Sequence, residues 1–277
     1  MGVEVPPRAR FHRTFWAELS RTHSHPLWLG LLADALGFES VFMQIWRARE
    51  IVQDLSEMTT GHRVIQASNV VGGVRRNIDK EMAQEVHRRI VTLKEMIDNS
   101  AAPALLHDAT IKRRAVGKGV LSKEQAELLG AVGPTARGSG VAIDVRQTGY
   151  AAYKEVGFEP VVETAGDSYA RTLVRVKELY RSLEMMREAL ASMPEGEILI
   201  RVDGYPQGET VSRCEQPRGE VFYYLRGNGT DHLERLKIRT PTFANLPALL
   251  VMLPGCEMAD VPVITLSIDP CIGCSER

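Results

Sequence analysis

Neither sign of charge is in excess. The chain has 34 Lys+Arg against 35 Asp+Glu, a formal net charge of -1, and a pI near 6.7. That balance excludes a protein that holds nucleic acid through a broadly basic surface. Long apolar runs are missing too. The longest, residues 27–33 and 248–253, fall far short of the roughly 20 residues that cross a bilayer, so any membrane contact is expected through partners. The first thirty residues carry Arg8, Arg10, His12, Arg13 and Arg21 without the apolar segment of a secretory signal. Cysteine is scarce, with four in 277 residues, which is too few for a disulfide framework and suits a reducing cytoplasm. Internal repeats and low-complexity linkers are absent. What remains is an ordinary globular composition, 44% hydrophobic and 25% charged, in a chain long enough to bury a substantial core.

The pattern that is present is mainly helical. Pro6 and Pro7 predict an extended opening, after which Phe11, Phe15, Trp16 and Leu19 recur at helical steps over residues 8–28. Residues 27–57 read as further helix, apolar on several faces around Gly30 and Gly37, as a buried helix is. Thr59-Thr60-Gly61 closes it, and Gly72-Gly73 marks a loop. Residues 79–98 form an amphipathic helix with Met82, Val86, Ile90, Leu93 and Ile97 on one stripe. Ser122 and Gln125 have the spacing of a capping box, Gly133-Pro134 breaks that element, and Gly138, Gly140 and Gly149 mark an irregular stretch. The strongest helix is residues 167–192, with Leu173, Val176, Tyr180, Leu183 and Met186 spaced for burial. Beyond Pro194, short strands are expected at 197–202, 220–225 and 235–239, with a tight turn at Asn228-Gly229 and a short helix over 245–253.

Chemistry concentrates near the end, in Asp269-Pro270-Cys271-Ile272-Gly273-Cys274. Two thiolates at Cys-x-x-Cys spacing converge on one point and can hold one metal; as soft ligands they favour zinc, iron–sulfur, copper(I) or nickel–iron. The same pair is compatible with a redox dithiol, half of a structural zinc site or two unliganded thiols, because no second pair accompanies it. Cys214 and Cys256 are isolated and read as small buried hydrophobes. His23 and His25, two apart on a helix, point away from each other and read as packing or capping residues. Arg75 and Arg76 read as a solvated or interface pair, and Met82, Met185 and Met186 as core filling.

Several segments, in order, resemble the large (catalytic) subunit of membrane-linked, energy-converting group 4 [NiFe] hydrogenases, and its relative the 49-kDa subunit of respiratory complex I. They are residues 2–10, Ser24-His25-Pro26-Leu27-Trp28-Leu29-Gly30, Gly72-Gly73-Val74-Arg75-Arg76, residues 133–140, Pro217-Arg218-Gly219-Glu220, Arg239-Thr240-Pro241-Thr242, Asn245-Leu246-Pro247 and the cysteine tail. The fold class so implied is α+β, mostly α: a helical bundle with a small antiparallel β subdomain. It forms one domain over 1–277, with a helical core over 8–192, a β-containing region over 195–240 and a metal-ligand tail over 241–277.

The resemblance implies that Cys271 is a terminal ligand to nickel and that Cys274 bridges nickel and iron. Arg239 would overhang the centre, donating to cyanide ligands on iron and assisting proton movement. The complex I relatives lack the tail cysteines, so Cys271 and Cys274 place the chain on the hydrogenase branch. The implied reaction is 2H⁺ + 2e⁻ ⇌ H₂ with ferredoxin as electron donor, through a 4Fe-4S cluster on an iron–sulfur small subunit. The complex would sit peripherally on the cytoplasmic side of the cell membrane, bound to membrane subunits, with no nucleic acid involved. The family's other Cys-x-x-Cys pair lies ahead of the segment that Met1-Gly2 matches, so half of the Ni-Fe ligands are expected on an N-terminal large-subunit fragment on another chain. Ala35 stands where the relatives carry an aspartate before Leu-Gly; Asp34, about 100° away round a helix, does not inherit its role. Arg277 matches the arginine after which energy-converting members are cut. Two alternatives stay open: a complex I-like subunit without a functional Ni-Fe site, and a non-catalytic assembly paralogue.

Overall fold

The computed structural model describes residues 1–276; Arg277, the expected processing point, lies outside the described residues. Pro6 is extended (φ -53°, ψ 143°), and Pro7 opens helix α1, Pro7–Ala35, where a missing N–H costs nothing. The helix runs straight through Pro26 and Gly30. The expected division near residue 28 falls instead at Gly37, whose φ of +84° reverses the chain. Helix α2, Glu39–Thr60, ends at Gly61 (φ +81°), whose N–H bonds the Glu57 carbonyl.

A two-residue hairpin follows, β1 Asn69–Val70 and β2 Gly73–Val74, where a plain loop was expected. A Cβ on Gly73 would lie 2.1 Å from the Ile198 carbonyl oxygen. That approach turns residues 197–202 into a single bridge, Gly73 to Leu199, rather than the expected strand. Helix α3, Lys80–Met96, is capped by Asp79, which accepts from the Met82 N–H, and it continues into a π-helical turn at Ile97–Ala101. Shorter helices follow: α4 Ala102–His107, α5 Ala109–Ala115, α6 Lys123–Leu128, α7 Gly133–Arg137 and α8 Tyr153–Val156. The Ser122–Gln125 capping box is present with both reciprocal bonds. Helix α9, Ser168–Ala191, starts at Asp167, whose carboxylate accepts from the Ala170 N–H.

The sheet is antiparallel in the order β3 Gln207–Gln216, β4 Gly219–Asn228, β5 Leu233–Arg239. The turn at Asn228-Gly229 is wider than a two-residue hairpin, because β5 starts only at Leu233. The return consists of α10 Pro241–Asn245, α11 Leu249–Met252, α12 Val261–Ser267 and α13 Ile272–Ser275.

α1 packs against both α2 and α9. Their shared core holds Phe15, Leu19, Trp28, Val52, Leu55, Val176, Leu183 and Met186, with Val86, Ile90 and Leu93 closing it from α3. A second, smaller core (Leu121, Ala136, Val141, Met252, Ile264 and Ile268) lies under the return. Met185 is buried beside Met186, so the methionines do fill core. Among the described residues no helix is long and apolar enough to cross a membrane.

Candidate functional site

The threonines of the Arg239-Thr240-Pro241-Thr242 run hold both ends of the cysteine turn. Thr240 Oγ1 accepts from the Phe243 N–H, capping α10, and donates to the Cys274 carbonyl at 2.6 Å. Thr242 Oγ1 accepts from the Cys271 N–H at 3.2 Å. The turn closes on itself through the Cys274 N–H to the Cys271 carbonyl, 3.0 Å. Asp269, just before it, has a left-handed φ of +56°, a conformation Asp tolerates better than most residues. Both cysteines are half-buried, and Cys274 borders a cleft of about 330 Å³ with Gln216, Arg218, Tyr223, Thr240 and Gly273.

Arg239 lies in a hollow of its own beside this cleft. Ile238 and Thr240 line this cleft and Arg239 does not, Ile238 being shared with the hollow that Arg239 lines. Arg239 pairs with Phe222 across the β4–β5 ladder and lines a separate hollow with Phe222 and Phe243. Its Nη2 is 2.6 Å from Glu220 Oε1, the ordinary carboxylate partner of a strand-end arginine. The arginine that does line the cleft with Cys274 is Arg218. Its Nη2 meets Asp269 Oδ1 at 2.9 Å, its Nε donates to the Asp269 carbonyl at 3.0 Å, and its Nη1 donates to Ser24 Oγ at 3.3 Å. The signal that could have found it is the Pro217-Arg218-Gly219-Glu220 segment. Gly219 and Gly133 let two backbones meet there, since a Cβ on Gly133 would lie 2.4 Å from the Arg218 carbonyl oxygen.

Behind the cleft lies a buried ionic cluster that sequence reasoning missed. Arg137 Nη1 lies 2.9 Å from Asp144 and 2.8 Å from Glu215, and its Nη2 2.7 Å from Glu178. Arg146 bridges Asp144 (2.7 Å) and Glu18 (3.2 Å). Glu18 also accepts from Arg21, from the Tyr153 hydroxyl and from Ser182. Arg21 reaches the Glu215 and Gln216 carbonyls at 3.0 and 3.2 Å, tying α1 to β3. Burial alone would raise the Glu178 pKa, but Arg137, the His25 hydrogen bond, Arg146 and Arg21 hold it well below the ordinary carboxylate range. For Glu215 burial outweighs Arg137, and its pKa is raised.

The histidines are structural. His25 is fully buried, with Nε2 2.9 Å from Glu178 Oε2, and burial lowers its pKa to about 4. His23 meets Arg49, whose Nη2 is 2.8 Å from His23 Nε2; burial and that cation lower its pKa to about 4 as well. Arg75 and Arg76 are exposed. Cys214 and Cys256 are half-buried rather than fully buried. Cys214 sits in a different hollow, of about 640 Å³, with Arg13, Trp16, Ser68, Tyr150 and Glu215, and Cys256 packs at the edge of the second core.

Cys271 and Cys274 are thiols, donors of the soft kind that suits a soft metal. Among the described residues no group of three or more His, Cys, Asp or Glu side chains is placed to hold a metal ion.

The family model for the respiratory-chain NADH dehydrogenase 49 Kd subunit matches residues 35–205 and 200–277. The whole chain is 41% identical to the carbon monoxide-induced hydrogenase of Rhodospirillum rubrum, covering 77% of it. It is 39% identical to the membrane-bound hydrogenase subunit alpha of Pyrococcus furiosus, covering 69% of that protein. It is 31% identical to an NADH-quinone oxidoreductase subunit of Thermodesulfovibrio yellowstonii, covering 77% of it.

Proposed function

This chain belongs to the family of the respiratory-chain NADH dehydrogenase 49 Kd subunit, and we propose that it carries one pair of ligands of a Ni-Fe centre in a membrane-associated hydrogenase complex. The observation that carries this reading is the lock between Thr240, Thr242 and the Cys271–Cys274 turn, with Arg218 on the same cleft. Hydrogenases bearing a similar chain in Rhodospirillum rubrum and Pyrococcus furiosus support it.

A Ni-Fe centre, when bound, supplies the place where H₂ is split or formed from two protons and two electrons. Cys271 and Cys274 hold it as thiolates, which are deprotonated once metallated. The remaining thiolates come from elsewhere in the assembly, since Cys214 lies in the other hollow and Cys256 against the second core. We assign to Arg218 the role that the resemblance gave to Arg239. Its guanidinium is permanently charged and presents fixed donors, and Asp269 and Ser24 hold it at the cleft. Electrons enter from ferredoxin through a 4Fe-4S cluster of a small subunit, and the complex sits on the cytoplasmic face of the membrane against its membrane subunits.

The test is elemental analysis of the complex purified with its neighbouring subunits. Nickel close to one per chain is expected, lost in Cys271→Ser. Arg218→Lys should keep the nickel and lower H₂ turnover by about a hundredfold, as loss of one preorganised donor does, whereas Arg239→Lys should stay near wild type. A nickel-free wild-type complex, or full nickel in Cys271→Ser, refutes the proposal. A second reading, a complex I-like subunit working without this centre, is favoured by the NADH-quinone oxidoreductase relative. A nickel-free complex that still reduces a quinone establishes it.

A further inference from the structure

The outer edge of β3 is open. Among the described residues only β4 pairs with it. Glu215 shows which way that edge faces. Its N–H donates to the Tyr150 hydroxyl at 3.1 Å and its carbonyl accepts from Arg21 Nη2 at 3.0 Å, so both groups point away from β4. Backbone groups of an antiparallel strand face its two sides by turns, and Arg213 and Val211 therefore direct theirs outward as well. Tyr150 and Arg21 close the edge at Glu215. Beyond them no strand covers it, and the Val211 side chain is 53% exposed. Such an edge is a template for a further strand.

The edge runs beside a groove that leads to the cysteines. The hollow of about 640 Å³ has residues 212–216 of β3 along one wall and Arg10, Arg13 and Trp16 of α1 along another. Gln216 borders this hollow and also the cleft that holds Cys274. From Val211 to Gln216 is about 17 Å of strand. The hollow is basic: Arg10, Arg13 and Arg213 line it against one carboxylate, Glu215, which Arg137 already holds at 2.8 Å. Arg10 has Glu155. Arg13 donates from Nη2 to the Val70 and Gly73 carbonyls, but its Nε is buried without a partner. The free side of β5 borders a different hollow, whose arginine, Arg239, already has Glu220. The buried donor without an acceptor is on the β3 side.

We infer that the open edge of β3 pairs with an extended strand of the subunit that brings the second pair of thiolates, and that this strand sets a carboxylate against Arg13 before passing Gln216 into the Cys274 cleft. The occupant follows from what the site needs. Two further thiolates must reach Cys271 and Cys274, and neither Cys214 nor Cys256 lines their cleft. A strand laid along β3 arrives there, and its acid meets the spare donor on the way. Only the thiolates rest on the hydrogenase reading; the strand and its carboxylate do not.

Photocross-linking of the complex purified with its neighbouring subunits tests this. Val211→p-benzoylphenylalanine should link to another chain, within about ten residues (~34 Å of extended chain) of two cysteines, as located by mass spectrometry. A link to a segment without such a pair, a link to a second copy of this chain, or no link overturns the inference. A wild-type measurement needs no variant to fold. The Val211 and Arg213 amides should exchange about tenfold more slowly in the complex than in the full chain alone, and equal exchange overturns the inference. Arg13→Lys keeps the charge but loses the guanidinium fork, and should lower retention of the linked subunit about tenfold; unchanged retention refutes the carboxylate contact. Nickel in the same preparation separates the two readings. A nickel-free complex that gives the expected link and the slowed amides removes the hydrogenase reading alone. A nickel-loaded complex with freely exchanging Val211 and Arg213 removes this inference alone.

Discussion

Arg137 shows at the scale of one side chain how charges are kept in this interior. It is fully buried and faces Asp144, Glu178 and Glu215 together. A buried ion pair is weak evidence of net stabilisation, but removing one partner leaves the others stranded. Arg137→Ala should therefore lower unfolding free energy by about 3–5 kcal/mol, read from urea midpoints of the full chain; a loss under about 1 kcal/mol would show that water reaches the cluster. The same interior makes the protein acid-labile. The His25 ring has a folded pKa lowered to about 4, against about 6.5 unfolded. The unfolded chain binds the extra proton in between, so this contribution, ~3 kcal/mol, is complete above about pH 6.5 and lost as pH falls toward 4. Glu178, depressed by its arginines, adds a loss at still lower pH. The stability-versus-pH curve of His25→Gln should be flatter than wild type between those limits; parallel curves would contradict the assignment. Residues at this scale were only partly legible. The cysteine pair announces itself by spacing, whereas Glu18, Arg21 and Glu178 look like solvated helix residues. Apart from the Glu18–Arg21 pair, their partners lie from about forty to nearly two hundred positions away, and Arg218 was hidden for the same reason.

Elements were easier to read, because their causes are local. The Asp167 and Ser122 caps, the Gly61 stop and the apolar stripes of α3 and α9 are each settled by residues within a turn or two. β3 was not foreseen. It is exposed along most of its length and lacks the apolar alternation that marks a half-buried strand, so only its pairing with β4 makes it one. The strand expected at 197–202 failed for the converse reason, since its pattern suited a strand but it bonds only the corner around Gly73, through the Val74 N–H to the Ile198 carbonyl and the Ile200 N–H to the Gly72 carbonyl. Gly133 opens α7 at φ +64°, with its missing Cβ against the Arg218 carbonyl. Gly133→Ala should cost about 1–3 kcal/mol for the backbone conformation alone and push the Arg218–Gly219 turn away from α7. Nickel retention below half of wild type at unchanged expression is the expected sign; a variant as stable as wild type would mean that the two segments part freely.

Across the whole molecule, the bundle-then-sheet order was legible from the change of character after Pro194, while the ties that join these parts were not. The sheet is fastened to the bundle by Arg21 on the Glu215 and Gln216 carbonyls and by Glu215 on Arg137 and the Val145 N–H. We expect the sheet and the helices to melt as one unit. Urea transitions followed by far-ultraviolet circular dichroism and by Cys214 thiol labelling should coincide, and an earlier labelling transition would separate the sheet as an independent piece.

The cluster also sets a timetable for synthesis. Glu18, Arg21 and His25 leave the ribosome early, and although Glu18 and Arg21 can pair at once, their further partners Arg146 and Glu178 follow more than a hundred residues later. Domains ordinarily condense from their leading end during translation; here the leading helix carries ionic groups that stay in water until most of the chain has followed. Its apolar stripe, with Phe15, Leu19 and Trp28, waits uncovered for that interval. A nascent chain paused before residue 144 is therefore the form most in need of a chaperone.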